Sequence, residues 1–149
     1  MEIRMTLDQE VLDRYNQYYF ARYPKRKKIP IPRPLHESIN VWGPMNTLAR
    51  NNIKKHWDEF IAWWMDELKL KDTRLKTFEA EFIYYMPTKR RADCDNLTPK
   101  FILDGLVHAG VIVDDDYLHL TKLTIRAGYD KCRPRTEIIL KTTDAAPEI

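Results

Sequence analysis

Hydrophobic and polar residues alternate in two parts of the chain, and each alternation predicts a β-strand. Ile3, Met5 and Leu7 are separated by polar residues, which is the period of a half-buried strand. A second alternating run covers residues 75–86 and ends at Pro87, which cannot donate to a strand ladder. Two further strands are expected near 118–126 and 136–141.

Apolar residues at three- and four-residue spacings predict two helices. The first begins near Met45, where Asn46 is a suitable N-cap, and no Gly or Pro interrupts the chain before residue 75. The second is expected to start with Asp95 as its N-cap, with Pro99 in the first turn and Gly110 at its end.

Residues 20–45 predict a long basic loop, because Pro30, Pro32 and Pro34 exclude a helix or a central strand there. A loop of that length in a compact domain is usually functional or disordered. Residues 143–149 are expected to form a flexible tail. The order of elements predicts an α+β fold over residues 1–149, a single domain in which two main helices pack on a small mixed sheet.

Composition narrows the class of protein. The chain has 149 residues, is 44% hydrophobic and carries a net charge of +3, which fits one folded domain. Its two cysteines and four histidines have no metal-ligand or disulfide spacing, so we expect the cysteines to be reduced and the histidines to be structural or exposed. No apolar run approaches the roughly 20 residues of a membrane span, and no signal peptide precedes the first strand. We expect a cytoplasmic protein without membrane contact.

Two acidic clusters suggest chemistry. Asp93 and Asp95 follow a basic triplet at 89–91, and a run of three aspartates occupies 114–116. Carboxylates that gather in a fold repel one another unless a cation holds them, and oxygen ligands favour Mg²⁺. Neighbouring basic residues suit a polyanionic substrate, so the pattern indicates a metal-dependent phosphodiester site. Alternatively, the first cluster caps a helix and the second is a solvated turn, with Lys100 and Asp104 as a surface ion pair.

Residues 89–116 resemble the RusA family of Holliday-junction resolvases, endonucleases that cut four-way DNA junctions. The resemblance implies a homodimer with one Mg²⁺- or Mn²⁺-dependent site per subunit, which resolves branched DNA by paired symmetric nicks. The matching residues are Arg90-Arg91-Ala92-Asp93-Cys94-Asp95-Asn96-Leu97, Lys100, Leu103-Asp104-Gly105-Leu106, His108-Ala109-Gly110 and Val113-Asp114-Asp115.

Carried over from the resemblance, the catalytic and metal-binding acids are Asp93, Asp95 and Asp115, and the catalytic lysine is Lys100. Lys100 departs from the family pattern, because it follows Asp95 by five residues where the family has four. Asp116 extends the acidic pair, so Asp114 or Asp116 is an alternative to Asp115.

Two basic segments are the expected DNA-binding residues, because phosphate contacts supply most sequence-independent affinity for DNA. A disordered, solubilising loop is the alternative for the first of them. Two other functions remain open: an accessory protein of a phage or prophage that binds branched DNA but cuts it weakly, and a metal-dependent hydrolase of small nucleotides. The DNA-binding residues are Lys25, Arg26, Lys27 and Lys28 in the loop, and Lys89, Arg90 and Arg91 before the first acidic cluster.

Overall fold

Four strands form one mixed sheet, and four helices accompany it, in a computed structural model that describes residues 1–143. The predicted single-domain α+β fold is confirmed. The strands are β1 (Glu2–Leu7), β2 (Phe78–Met86), β3 (Leu120–Tyr129) and β4 (Arg135–Thr142). The helices are α1 (Gln9–Arg22), α2 (Ile39–Trp42), α3 (Thr47–Glu67) and α4 (Lys100–His108), with a 3-10 turn at Cys94–Asn96.

The strand order is β1-β4-β2-β3, so β4 lies between β1 and β2 and runs antiparallel to both. β3 pairs parallel to β2, and the connection between them carries α4. Met5 and Phe82 both face Ile138 in register, and all three are buried. The alternation seen in the sequence therefore places one apolar face of the sheet in the core.

The helices cover that apolar face. Tyr15 of α1 meets Phe60 of α3 edge to face, with ring centroids 5.0 Å apart. α3 and α4 approach closely at Gly105, where an added Cβ would lie 2.9 Å from the Ile61 side chain. Any side chain at residue 105 would separate these two helices, so the glycine permits their packing.

Helix α1 was not predicted from the polar, tyrosine-rich stretch that forms it. Asp8 caps the helix, since its Oδ1 accepts a hydrogen bond from the Val11 N–H at 3.1 Å. The buried side of the helix uses Tyr15 and Tyr19 together with two aliphatic residues. Tyrosines therefore supply apolar surface here, although their hydroxyls make the sequence look polar.

The prediction of a loop over 20–45 is correct only in its middle. Residues 20–22 belong to α1 and residues 39–42 form α2, which leaves 23–38 and 43–45 outside helices and strands. The second half of this segment is packed: Ile31 and Leu35 are buried, and the Thr136 hydroxyl donates to the Pro34 carbonyl at 2.8 Å. Those contacts fix the proline-rich segment against β4.

The predicted cap of α3 is confirmed, because Asn46 Oδ1 accepts a hydrogen bond from the Ala49 N–H at 2.8 Å. The helix ends at Glu67, short of the uninterrupted stretch in the sequence. Lys69 follows the C-cap residue Leu68 at a left-handed φ of 57°, which ends the helix. Asp72 and Arg74 in the same connection are also left-handed, at φ 61° and 51°.

The expected start of the second helix is wrong. Asp95 lies inside the 3-10 turn, and α4 begins at Lys100 with Pro99 as its N-cap residue. Proline disfavours helical geometry at the residue before it, so Thr98 separates the turn from the helix. Gly110 follows the helix at φ 74°, as expected for its end.

Thr143 is the last residue of the described range, so 144–149 of the expected flexible tail lie outside it. Within residues 1–143, no helix has both the length and the apolar character that crossing a bilayer requires.

Candidate functional site

The first acidic cluster lies on an exposed segment after β2. Asp93 and Asp95 are both exposed, and the Asp93 carboxylate pairs with the Arg91 guanidinium at 3.5 Å. Such a surface pair contributes little to stability. Within residues 1–143, neither carboxylate accepts a hydrogen bond from a backbone N–H. Both therefore keep oxygen atoms that a ligand can use.

Asp93 and Asp95 do not lie together on one extended segment. An extended segment would place Asp93 and Asp95 on the same side. Asp93 is extended, with φ −90° and ψ 128°, whereas residues 94–96 form the 3-10 turn. The alternation of a strand therefore does not orient the two side chains.

The second acidic cluster forms the turn before β3. Residues 111–113 return the chain to the turn after α3, where the Val113 N–H donates to the Leu75 carbonyl at 2.9 Å. Asp116 Oδ1 accepts hydrogen bonds from the Leu118 and His119 N–H groups and lies 2.6 Å from His119 Nδ1. The hydrogen bond from His119 is the main reason that the pKa of Asp116 lies below its ordinary value. Asp116 therefore builds the turn.

Asp115 has a different environment from its neighbour. Partial burial raises its pKa above the ordinary value, and the negative charge of Asp104 raises it further. A side-chain hydrogen bond with Asp114 also raises the pKa of Asp115. Asp115 thus lies beside the carboxylates of Asp104 and Asp114, a like-charge crowding that a cation would relieve.

Lys100, the predicted catalytic lysine, lies at the first position of α4. Its Nζ is 3.5 Å from the Asp104 carboxylate, one helical turn further on. Lys54 of α3 reaches the same carboxylate at 3.9 Å. Asp104, which sequence reasoning treated as part of the resemblance and alternatively as a surface partner of Lys100, therefore joins Lys100, α3 and the acidic turn.

The structure does not gather the three predicted metal ligands closely. Within residues 1–143, the one group of three whose ligand atoms all lie within 4.8 Å of one another is Asp114, Asp116 and His119. Asp93, Asp95 and Asp115 do not form such a group. His119 was expected to be structural or exposed, and its position three residues after Asp116 is the signal that could have linked them.

A cleft of about 590 Å³ opens beside the first acidic cluster. One side is residues 33–40, which we call the anchored wall, and the other is residues 86–97, the carboxylate wall. Arg33, Arg90, Arg91 and Asp93 all line it. Among the described residues, Asp95, Lys100 and Asp115 are not part of its lining. The cleft therefore joins three guanidinium groups to one predicted ligand, a combination that suits a phosphate chain.

The basic loop contains two kinds of residue. Lys25, Lys27 and Lys28 are exposed. Arg26 is also exposed, but its guanidinium lies on the Tyr23 ring, 3.9 Å from its centroid, and donates to the Tyr19 hydroxyl at 3.0 Å. Arg26 thus attaches the loop to α1, and the lysines are better placed to meet a polyanion. Lys89 of the second basic segment lies 5.2 Å from the Tyr129 ring centroid.

His36 is the buried residue of the anchored wall that sequence reasoning left without a role. Its side chain is almost fully enclosed and accepts a hydrogen bond from the Phe101 N–H at 2.9 Å. Burial lowers the pKa of His36 to about 4, so the ring is neutral at pH 7. Nothing in the local sequence connects His36 to α4, because the two partners are 65 residues apart.

No protein-family model matches this chain, and no curated protein matches it either.

Proposed function

We propose that the protein is a Mg²⁺-dependent, structure-selective endodeoxyribonuclease that resolves Holliday junctions, acting in the cytoplasm. The observation that carries the proposal is the cleft lined by Arg33, Arg90 and Arg91 together with Asp93, whose exposed carboxylate lies 3.5 Å from the Arg91 guanidinium. Arginine suits this surface because its planar guanidinium binds phosphate through two hydrogen bonds. The resemblance of residues 89–116 to the RusA family supplies the reaction and the branched substrate.

The residues fit a hard divalent cation in their chemistry. Asp93, Asp95 and Asp115 would hold Mg²⁺ or Mn²⁺ through carboxylate oxygens, the ligands that such ions prefer. The raised pKa of Asp115, caused by burial and by Asp104, marks negative charge that a cation would stabilise. When bound, the cation supplies charge stabilisation at the phosphoryl group and a more acidic water.

The other residues of the site bind and orient the DNA. The cleft arginines would contact backbone phosphates, and the exposed lysines at 25, 27 and 28 would add affinity that depends strongly on salt. Lys100 would lie beside the reacting phosphate with its charge shared by Asp104, 3.5 Å away. Symmetric nicking of a four-way junction needs two sites, so we propose that the active species is a homodimer.

The deciding experiment incubates the purified protein with a synthetic four-way junction or a matched linear duplex, in Mg²⁺ or in EDTA. We expect paired symmetric nicks in the junction alone and only with Mg²⁺. The variant Asp93→Asn should bind the junction without nicking it, because the carboxylate is exposed and its loss should not disturb folding. Unchanged nicking by this variant would remove Asp93 from the site.

A second candidate is a protein that binds branched DNA without cutting it efficiently. The observation in its favour is that Asp93, Asp95 and Asp115 do not gather within the 4.8 Å that Asp114, Asp116 and His119 achieve, among residues 1–143. Junction binding that is insensitive to Mg²⁺ and produces no nicks would favour this accessory function.

A further inference from the structure

His36 makes two directed hydrogen bonds that together define its tautomer. Its Nε2 lies 2.9 Å from the Phe101 backbone nitrogen, which can only donate, so Nε2 carries no proton. Its Nδ1 lies 2.7 Å from the Glu37 carbonyl oxygen, which can only accept, so Nδ1 carries the proton. Both ring nitrogens of the neutral imidazole are therefore used inside the protein.

The first of these bonds caps α4 from outside the helix. The first N–H groups of any helix have no partner within it. Pro99, the residue before α4, provides no side-chain cap. The His36 ring satisfies the Phe101 N–H instead, one residue after Lys100. Because such a buried donor is expensive to leave unpaired, this contact helps to decide where the helix begins.

Two aromatic rings also stack on the His36 ring. The Trp57 ring of α3 stacks on it with centroids 5.6 Å apart, and the Phe101 ring stacks with centroids 5.1 Å apart. The interplanar angles are 23° and 24°. With two hydrogen bonds and two stacked rings, the imidazole has little freedom to turn. It therefore fixes the position of the first turn of α4 relative to the anchored wall.

We propose that His36 is a positioning residue for Lys100, an inference that rests on the proposed nuclease function. His36 lines the cleft together with Arg33, and its hydrogen bond to Phe101 holds the helix turn that begins with Lys100. A phosphodiester bound by the wall thereby has a defined placement relative to the lysine. Displacement of a catalytic group by an ångström is enough to lower the rate strongly.

Two variants separate the hydrogen bond from the aromatic ring. His36→Gln keeps an acceptor that can reach the Phe101 N–H, whereas His36→Phe keeps a ring and has no acceptor. We expect His36→Phe to lower kcat for junction nicking by about tenfold or more, with KM changed less than kcat. His36→Gln should recover most of that loss. His108→Gln, in an exposed residue at the other end of α4, is the matched control and should leave both constants unchanged.

Two measurements test the cap without depending on nicking. In ¹⁵N NMR of the unaltered protein at pH 7, His36 should show a protonated Nδ1 and an unprotonated Nε2. Amide exchange at Phe101 should accelerate in His36→Phe and stay close to the parent rate in His36→Gln. A protonated Nε2, or equal exchange in all three proteins, would overturn the cap.

The catalytic part of the proposal has its own contradicting results. If His36→Phe has the same kcat as the parent, the cap does not position Lys100. The same conclusion follows if His36→Gln loses as much kcat as His36→Phe while its Phe101 amide exchanges at the parent rate. If the unaltered protein nicks no junction, the nuclease function fails and the placement of Lys100 falls with it. The NMR results then still decide whether His36 caps α4.

Discussion

The two walls of the cleft carry arginines of the same kind but are held in the fold very differently. The anchored wall contains buried Leu35 and His36 and is tied to β4 through Thr136 and to α4 through Phe101. In the carboxylate wall, residues 88–95 are all exposed, and the ion pair of Asp93 with Arg91 is a surface contact.

This difference separates what supports a site from what acts in it. Substitutions in the anchored wall should act mainly on stability, because they remove buried contacts. Substitutions of the exposed carboxylates should act mainly on chemistry, because they remove groups with few partners in the protein. Functional residues on exposed segments that a rigid scaffold positions are a general arrangement in proteins.

The largest expected effect belongs to the carboxylate wall. Asp95→Asn should lower Mg²⁺-dependent junction nicking on the order of 10²- to 10³-fold, as expected for the loss of one group that stabilises transition-state charge. Its Tm should match that of the parent, because Asp95 is exposed. Asp13→Asn, in an exposed aspartate of α1, controls for the loss of a surface charge and should change neither quantity. A lower Tm in Asp95→Asn would mean that this wall is structural too.

The stability of the protein should depend on pH because His36 is buried in the anchored wall. The pKa of His36 falls from 6.5 to about 4 on folding, so between these values the unfolded chain binds more protons. Stability is therefore lost as pH falls through this window, by up to about 3 kcal/mol for the buried histidine. Urea unfolding of the parent and of His36→Gln at pH 7 and pH 4.5 measures the difference, which should shrink at the lower pH. Parallel curves would contradict a buried, neutral His36.

Thr136→Val tests the tie between the anchored wall and β4. Valine keeps the shape but removes the hydroxyl that donates to the buried Pro34 carbonyl. An unsatisfied buried acceptor should lower the free energy of unfolding by about 1–3 kcal/mol. Thr124→Val, on the open face of the sheet, is the control and should have a smaller effect. Equal losses would indicate that the Pro34 contact is not special.

The smallest effects should come from substituting arginines of the two walls, Arg90 in the carboxylate wall and Arg33 in the anchored wall. Arg90→Ala should weaken junction binding and lower the slope of log affinity against log salt by about 1, as expected for the loss of one phosphate contact. Arg33→Ala should do less, because Arg33 already pairs with Glu37 at 3.4 Å. Fluorescence anisotropy at several salt concentrations measures both. The reverse order would show that the anchored wall carries more of the DNA affinity.

Much of the sheet could be predicted from sequence because its signal is local. Ile3, Met5 and Leu7 alternate, and β1 contains all three. Asn46 is a cap by residue type, and it caps α3. Helix α1 was missed because its buried side combines Tyr15 and Tyr19 with only two aliphatic residues, so the helical spacing of aliphatic residues is weak there. The start of α4 was misplaced because Asp95 has the right residue type for a cap, whereas Pro99 decides the geometry.

The site was less predictable because its contacts join distant parts of the chain. Residue types identified the two acidic clusters, and the resemblance selected Asp93, Asp95 and Asp115 from them. The distances between these three residues were not accessible from spacing. The crowding of Asp115 with Asp104 depends on how α4 packs beside the acidic turn. The hydrogen bond between His36 and Phe101 spans 65 residues, and no local pattern encodes it.

The order of strands in the sheet has a consequence for how the chain acquires its fold during synthesis. β4 comes last of the four described strands, yet it lies between β1 and β2. Until residues 135–142 leave the ribosome, the apolar faces of β1 and β2 have no common partner and no continuous sheet. The residues of β1 pair with residues more than a hundred positions later in the chain, as Leu7 does with Thr136. Contacts between residues so distant in sequence slow folding. A chain that stops before residue 135 would lack β4, the strand between β1 and β2. The unpaired edges of β1 and β2 would then be open to aggregation.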